Sequence, residues 1–143
     1  MTTVLVDTGV WYAMFDPRDR MASEEDVRFL ESRIEALSVV IPWPIAYETL
    51  RTRFVRNRQG LERFEQRLKS PKIKLVDDAP YREDALALSI ESSLRGHRPL
   101  SMVDCVIRIL LDDANGKIRY LATYNAADFA DVCARRSIDL WSQ

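Results

Sequence analysis

Val4-Leu5-Val6-Asp7-Thr8-Gly9 is the stretch on which the fold turns. Three apolar residues, two of them β-branched, run without alternation into a carboxylate. That is the pattern of a parallel strand buried on both faces and ending where polarity begins. The spacing predicts a helical turn over 11–15, then a helix over 22–37 carried by Val27, Phe29, Leu30, Ile34 and Leu37. Ser23 is its expected cap, and Glu24, Glu25 and Asp26 suit the positive end of its dipole. Val39-Val40-Ile41 repeats the pattern of the first strand. Pro42 and Pro44 are expected to break it, a helix to resume over 45–56, and Gly60 to divide that helix from another over 61–69 that Pro71 stops. Strands are expected at 73–76, 120–123 and 138–141, and helices at 80–95, 101–116 and 126–135, with Gly96 in left-handed geometry after the first of these. Strands alternating with helices imply right-handed crossovers, hence an α/β fold with a mostly parallel sheet covered on both faces.

Composition agrees with a single domain over 1–143. The 143 residues are 47% apolar and 30% charged, with four Gly and six Pro, which removes fibrous and disordered readings. With 21 basic against 22 acidic residues, bulk positive potential is not how this chain would hold a polyanion; a local patch is needed. Two cysteines, Cys105 and Cys133, and one histidine support neither a disulfide framework nor a zinc site. The opening residues have no basic leader and no apolar run approaches a membrane span, so a cytoplasmic, unprocessed protein is expected.

In open α/β sheets ligands bind beyond the carboxyl ends of the strands, so an acid placed first after a strand is a candidate. Asp7, with Thr8 beside it, is such an acid, although an N-cap explains it too. Glu48, on the helix expected over 45–56, should lean toward that helix's apolar side; pairing with Arg51 or Thr52 is the simpler account. Asp104 is the third residue after the expected cap Ser101, near both a helix N-terminus and the core, where a Ser-x-x-Asp capping box serves equally well. Thr123-x-Asn125-x-x-Asp128 follows the fourth strand and feeds an amide and an acid to the same edge. Clustered carboxylates repel unless a cation neutralises them, and an all-oxygen set selects Mg²⁺ or Mn²⁺ over zinc. Such ions activate water and polarise phosphodiesters.

Asp7-Thr8, Glu48, Ser101-x-x-Asp104 and Thr123-x-Asn125-x-x-Asp128-Phe129, in that order over essentially the whole chain, resemble the PIN domain and more narrowly VapC-type toxin ribonucleases. The resemblance implies a PIN-like three-layer α/β/α sandwich with a five-stranded sheet. It also implies a Mg²⁺- or Mn²⁺-dependent endoribonuclease, the toxin of a type II toxin–antitoxin system, held inactive by a small cognate antitoxin. Asp7, Glu48 and Asp104 match the three principal acids of the family, and Asp128, in the stretch matching the fourth acidic element, joins them as a catalytic and metal-holding residue. Many relatives carry an acid where Asn125 stands. Gly9 replaces a small hydroxyl or amide residue frequent after the first Asp-Thr.

Thr8, Arg51, Arg53, Arg56, Ser101, Thr123 and Asn125 are the expected substrate contacts. Residues 51–74 hold nine bases against two acids, which points to a phosphate-facing patch or the seat of an acidic partner peptide, a solvated helical face being the ordinary alternative. Arg95, His97 and Arg98 form a smaller basic cluster before Asp104. Trp11, Tyr12, Met14 and Phe15 are more apolar bulk than one short helix can easily bury, so a homodimer or antitoxin contact is expected there. Asp7-Thr8-Gly9 is also the triplet of aspartic proteases, but those are all-β. The competing function is a PIN-like module that binds RNA or protein without cutting.

Overall fold

The structure, a computed structural model, describes residues 2–16, 18 and 23–141. Val4, Leu5 and Val6 lose all contact with solvent, as a central strand must. They belong to β1 (Thr3–Val6), which pairs on one side with β2 (Ser38–Pro42) and on the other with β4 (Tyr120–Ala122). β3 (Ile73–Val76) lies beyond β2, and β5 (Asp139–Trp141) beyond β4. Every pairing is parallel, in the order β3-β2-β1-β4-β5. The helices flank this sheet as a three-layer α/β/α sandwich: α1 (Thr8–Phe15), α2 (Glu24–Glu35), α3 (Trp43–Thr49), α4 (Thr52–Val55), α5 (Arg58–Leu68), α6 (Arg82–Leu94), α7 (Met102–Asp112) and α8 (Ala130–Arg136). Strand order reverses between β1 and β4, and the crevice beyond their carboxyl ends is where such sheets bind ligands. No helix among the described residues is long and apolar enough to cross a membrane.

Several helix boundaries differ from the sequence-based expectation for identifiable reasons. The segment expected as one helix over 45–56 is two, because Leu50 leaves helical geometry and Arg51 is extended (φ −70°, ψ 164°). Pro42 still belongs to β2, and Pro44 sits in the first turn of α3, where a missing N–H costs nothing. Gly60 does not divide helices. It lies inside the first turn of α5, whose Asn57 cap accepts the Gly60 N–H at 3.2 Å. Its reason is close approach, since a Cβ there would stand 2.4 Å from the Phe15 carbonyl oxygen. Gly96 is likewise not left-handed; the positive φ angles belong to Lys117 and Ser137. The expected start of a helix at Ala22 lies outside the described residues, and α2 begins after Ser23, whose hydroxyl oxygen accepts the Asp26 N–H.

The aromatic bulk near the chain start is buried inside this chain, against the expectation of a docking face. Trp11 meets the Phe64 ring edge-on at 5.3 Å, Phe54 packs against Phe64 at 5.9 Å, and the Trp11 indole N–H donates to the Val6 carbonyl. α4 and α5, far along the sequence, supply the surfaces that α1 lacked, so this patch supports neither of the contacts expected there, homodimer or antitoxin. Cys105 and Cys133 are free and buried.

Gly60→Ala should lower stability by about 1–3 kcal/mol through overpacking against fixed backbone. Gly9→Ala, whose Cβ would meet only the Tyr124 ring at 3.8 Å, should be neutral or stabilising. Thermal melts of the two variants check this, and equal effects would contradict the close-approach account.

Candidate functional site

Asp7 is the first residue after β1, and three bonds hold it. Its own N–H donates to the Ala122 carbonyl at the end of β4, its Oδ1 accepts the Thr8 N–H at 2.8 Å, and its Oδ2 accepts the Thr123 hydroxyl at 2.8 Å. The carboxylate therefore caps α1 while being anchored to the neighbouring strand. Thr123 is 0% exposed and Thr8 5% exposed, so both, expected as substrate contacts, act on Asp7 from below instead. The Thr8 hydroxyl oxygen is buried with no hydrogen-bond partner among the described residues. Asn125 is exposed, and its backbone N–H donates to the Thr123 hydroxyl oxygen.

Asp104 arrives on α7. The Ser101 hydroxyl oxygen accepts the Asp104 N–H at 3.1 Å, as the capping spacing predicts, and this places the Asp104 carboxyl in the first turn. Glu48 rides on α3 and is exposed rather than leaning into the core. The Tyr12 hydroxyl donates to the Glu48 carbonyl oxygen and so ties α3 to α1. Arg51 lies over the Tyr12 ring at 4.6 Å. Asp128 closes the 3₁₀ turn Ala126–Asp128, after β4, and is mostly shielded.

These four acids feel one another. Burial raises the Asp7 carboxyl above its ordinary pKa, against the pull of its bonds from Thr123 and Thr8, and the charges of Glu48 and Asp128 push it the same way. Burial followed by the charges of Asp7, Asp128 and Glu48 lifts Asp104 to about 6. The sequence-predicted acids thus lie within electrostatic reach of one another, with Asp7 at the carboxyl end of β1 where the strand order reverses. The chemistry of the donor set fits a hard divalent cation: all oxygen, mutually repelling, with only neutral partners on Asp7 and Asp104 among the described residues. Among the described residues no three His, Cys, Asp or Glu side chains already form a metal-holding group, so the acids share a field without sharing a coordination sphere.

The basic run of 51–74 is partly spent internally: Arg58 pairs with Glu62, Lys69 with Glu65, and Arg63 with Glu31. Arg53 and Arg56, both exposed, have no ion-pair partner among the described residues. Arg98 was not expected at the site, yet its Nε donates to Asp128 Oδ1. Its sequence signal was modest: a cation in the loop that delivers Ser101 and Asp104. No family model matches this chain, and no curated protein matches it either.

Because folding raises the pKa of Asp104, the folded protein keeps a proton that the unfolded chain releases from about pH 4 upward. The stability this proton contributes is complete below about pH 4 and lost by the time the pH has risen past 6. In chelator-treated protein, Asp104→Asn should therefore melt higher than the parent at pH 7.5, by about 1 kcal/mol or roughly 3 °C after allowance for partial exposure. The gain should vanish near pH 4. A pH-independent difference would mean that burial and like charge do not raise Asp104.

Proposed function

We propose that this chain is a metal-dependent endoribonuclease that hydrolyses RNA phosphodiester bonds. The observation that carries the reading is that Asp7, fixed at the end of β1 beside the strand-order reversal, and Asp104, at the start of α7, are both raised by burial and by the charges of Glu48 and Asp128. Asp7 and Asp104, with Glu48 and Asp128, are the residues that would hold Mg²⁺ or Mn²⁺. Bound there, the ion supplies Lewis acidity toward a phosphodiester oxygen and a lowered pKa for water.

The chain's own groups account for the rest. Thr123 and the Thr8 N–H fix both Asp7 oxygens, so that a site built at a strand end keeps the rigidity of the sheet. Ser101 fixes the backbone of the turn that carries Asp104. Arg53 and Arg56, exposed and without ion-pair partners among the described residues, are available to meet backbone phosphates, and Arg51 is braced on the Tyr12 ring beside the helix that carries Glu48. The motif order of VapC-type toxins supports the finer reading: a toxin acting in the cytoplasm and restrained by a small antitoxin. A non-cleaving RNA- or protein-binding module is the competing reading, and it predicts folded, RNA-binding, inert protein.

Purified protein freed of any partner should cleave structured RNA in Mg²⁺ or Mn²⁺ and stop when chelator is added. Asp104→Asn should stay folded by circular dichroism and lose activity by roughly 10²–10³-fold, the several kcal/mol that a bound metal contributes. Chelator-resistant cleavage, or an Asp104→Asn protein as active as the parent, would sink the nuclease.

A further inference from the structure

The four acids divide by what neutralises them. Asp7 is held by an N–H and a hydroxyl, and Asp104 has the Ser101 side chain; Glu48 has no ion pair among the described residues. Asp128 alone carries a cation, through the bond from Arg98 Nε to its Oδ1. It is also pinned from its backbone, since Arg108 Nη1 donates to the Asp128 carbonyl at 2.6 Å while both terminal nitrogens of Arg108 grip Asp131 at 2.7 Å. Asp128 is thus a fixed, shielded carboxylate with a guanidinium on it. The Arg98 side chain remains 58% exposed against 13% for Asp128, and a guanidinium carries five N–H donors, so its remaining donors stay open. Of the nearby basic residues, Arg95 is turned away onto Glu91.

We propose that Arg98, seated on Asp128, is the site's second positive charge. It takes the place that a second metal ion has in two-metal nucleases and donates to the phosphate of the substrate, so the chain holds a single divalent cation on the side of Asp7 and Asp104. This rests on the nuclease reading above and sharpens it. A divalent ion and a guanidinium both stabilise developing negative charge on phosphate oxygens, and a planar fork of donors suits two oxygens at once. Asp128, counted above among the acids that would hold the ion, then serves instead chiefly as a positioning residue, spending its charge on Arg98. The loop that brings Arg98 leads directly into the Ser101 cap and Asp104, so cation and ligand are delivered by one segment.

Metal-stripped full-length protein titrated with Mn²⁺, with free ion read by electron paramagnetic resonance, tests this. The parent should bind one Mn²⁺ per chain. Arg98→Gln should bind a second, or hold the first roughly tenfold tighter once the nearby cation is gone, whereas Arg98→Lys should behave as the parent. Asp104→Asn should bind none. Two ions in the parent would overturn the role of Arg98 and leave the nuclease reading standing. No Mn²⁺ binding in the parent would remove both. An Arg98→Gln protein unchanged in stoichiometry and affinity, with only a lowered melting temperature, would reduce the pair to a loop fastening and overturn the proposal.

Discussion

The hydroxyl of Thr123 donates to Asp7 Oδ2 across 116 residues of sequence, and the site depends on that bond. A carboxylate 5% exposed at the end of a central strand costs free energy unless its oxygens are satisfied. Here one oxygen is satisfied by the helix that begins at Thr8 and the other by the strand beside it. Because the two donors come from different elements, Asp7 cannot turn without breaking either the cap of α1 or the junction between β1 and β4. Neither donor is charged, so the charge of Asp7 is held in place without being cancelled.

The remaining acids reach Asp7 because parallel strands all finish on one edge. A residue placed just after β1, one just after β4, and one opening a helix that packs nearby need not be close in sequence to share a field. What distinguishes them is their partners. Neutral donors surround Asp7 and Asp104 and leave repulsion to be relieved by something from outside, whereas two arginines fasten Asp128. The asymmetry sets Asp7 and Asp104, which have only neutral partners among the described residues, apart from Asp128, which already has a cation.

Much of this was legible from local pattern. Short apolar runs marked the strands: in β1 and β2 because a strand buried on both faces leaves little room for polar side chains, and in β3, placed to the residue, although that edge strand exposes Lys74 and Leu75. The Ser23 and Ser101 caps were legible because a cap is a bond within one turn. Gly60 misled, because its meaning lies in the Phe15 carbonyl that no nearby residue announces. Trp11 and Phe15 misled for the same reason: their partner Phe64 is about fifty residues away in the chain. The break at Leu50 had no signal, since neither residue at the break is a helix breaker.

The sequence by itself determined the alternation of strands and helices and put an acid or amide at several of the places where the chain returns to one edge. Those features follow from side-chain polarity and from hydrogen bonds a few residues long. Only the tertiary structure decided which acids feel one another, that Glu48 stays exposed while Thr8 and Thr123 are buried, and that Arg98 belongs to Asp128. Distances between remote segments and the loss of solvent around them set those properties, and both exist only once the sheet has been assembled.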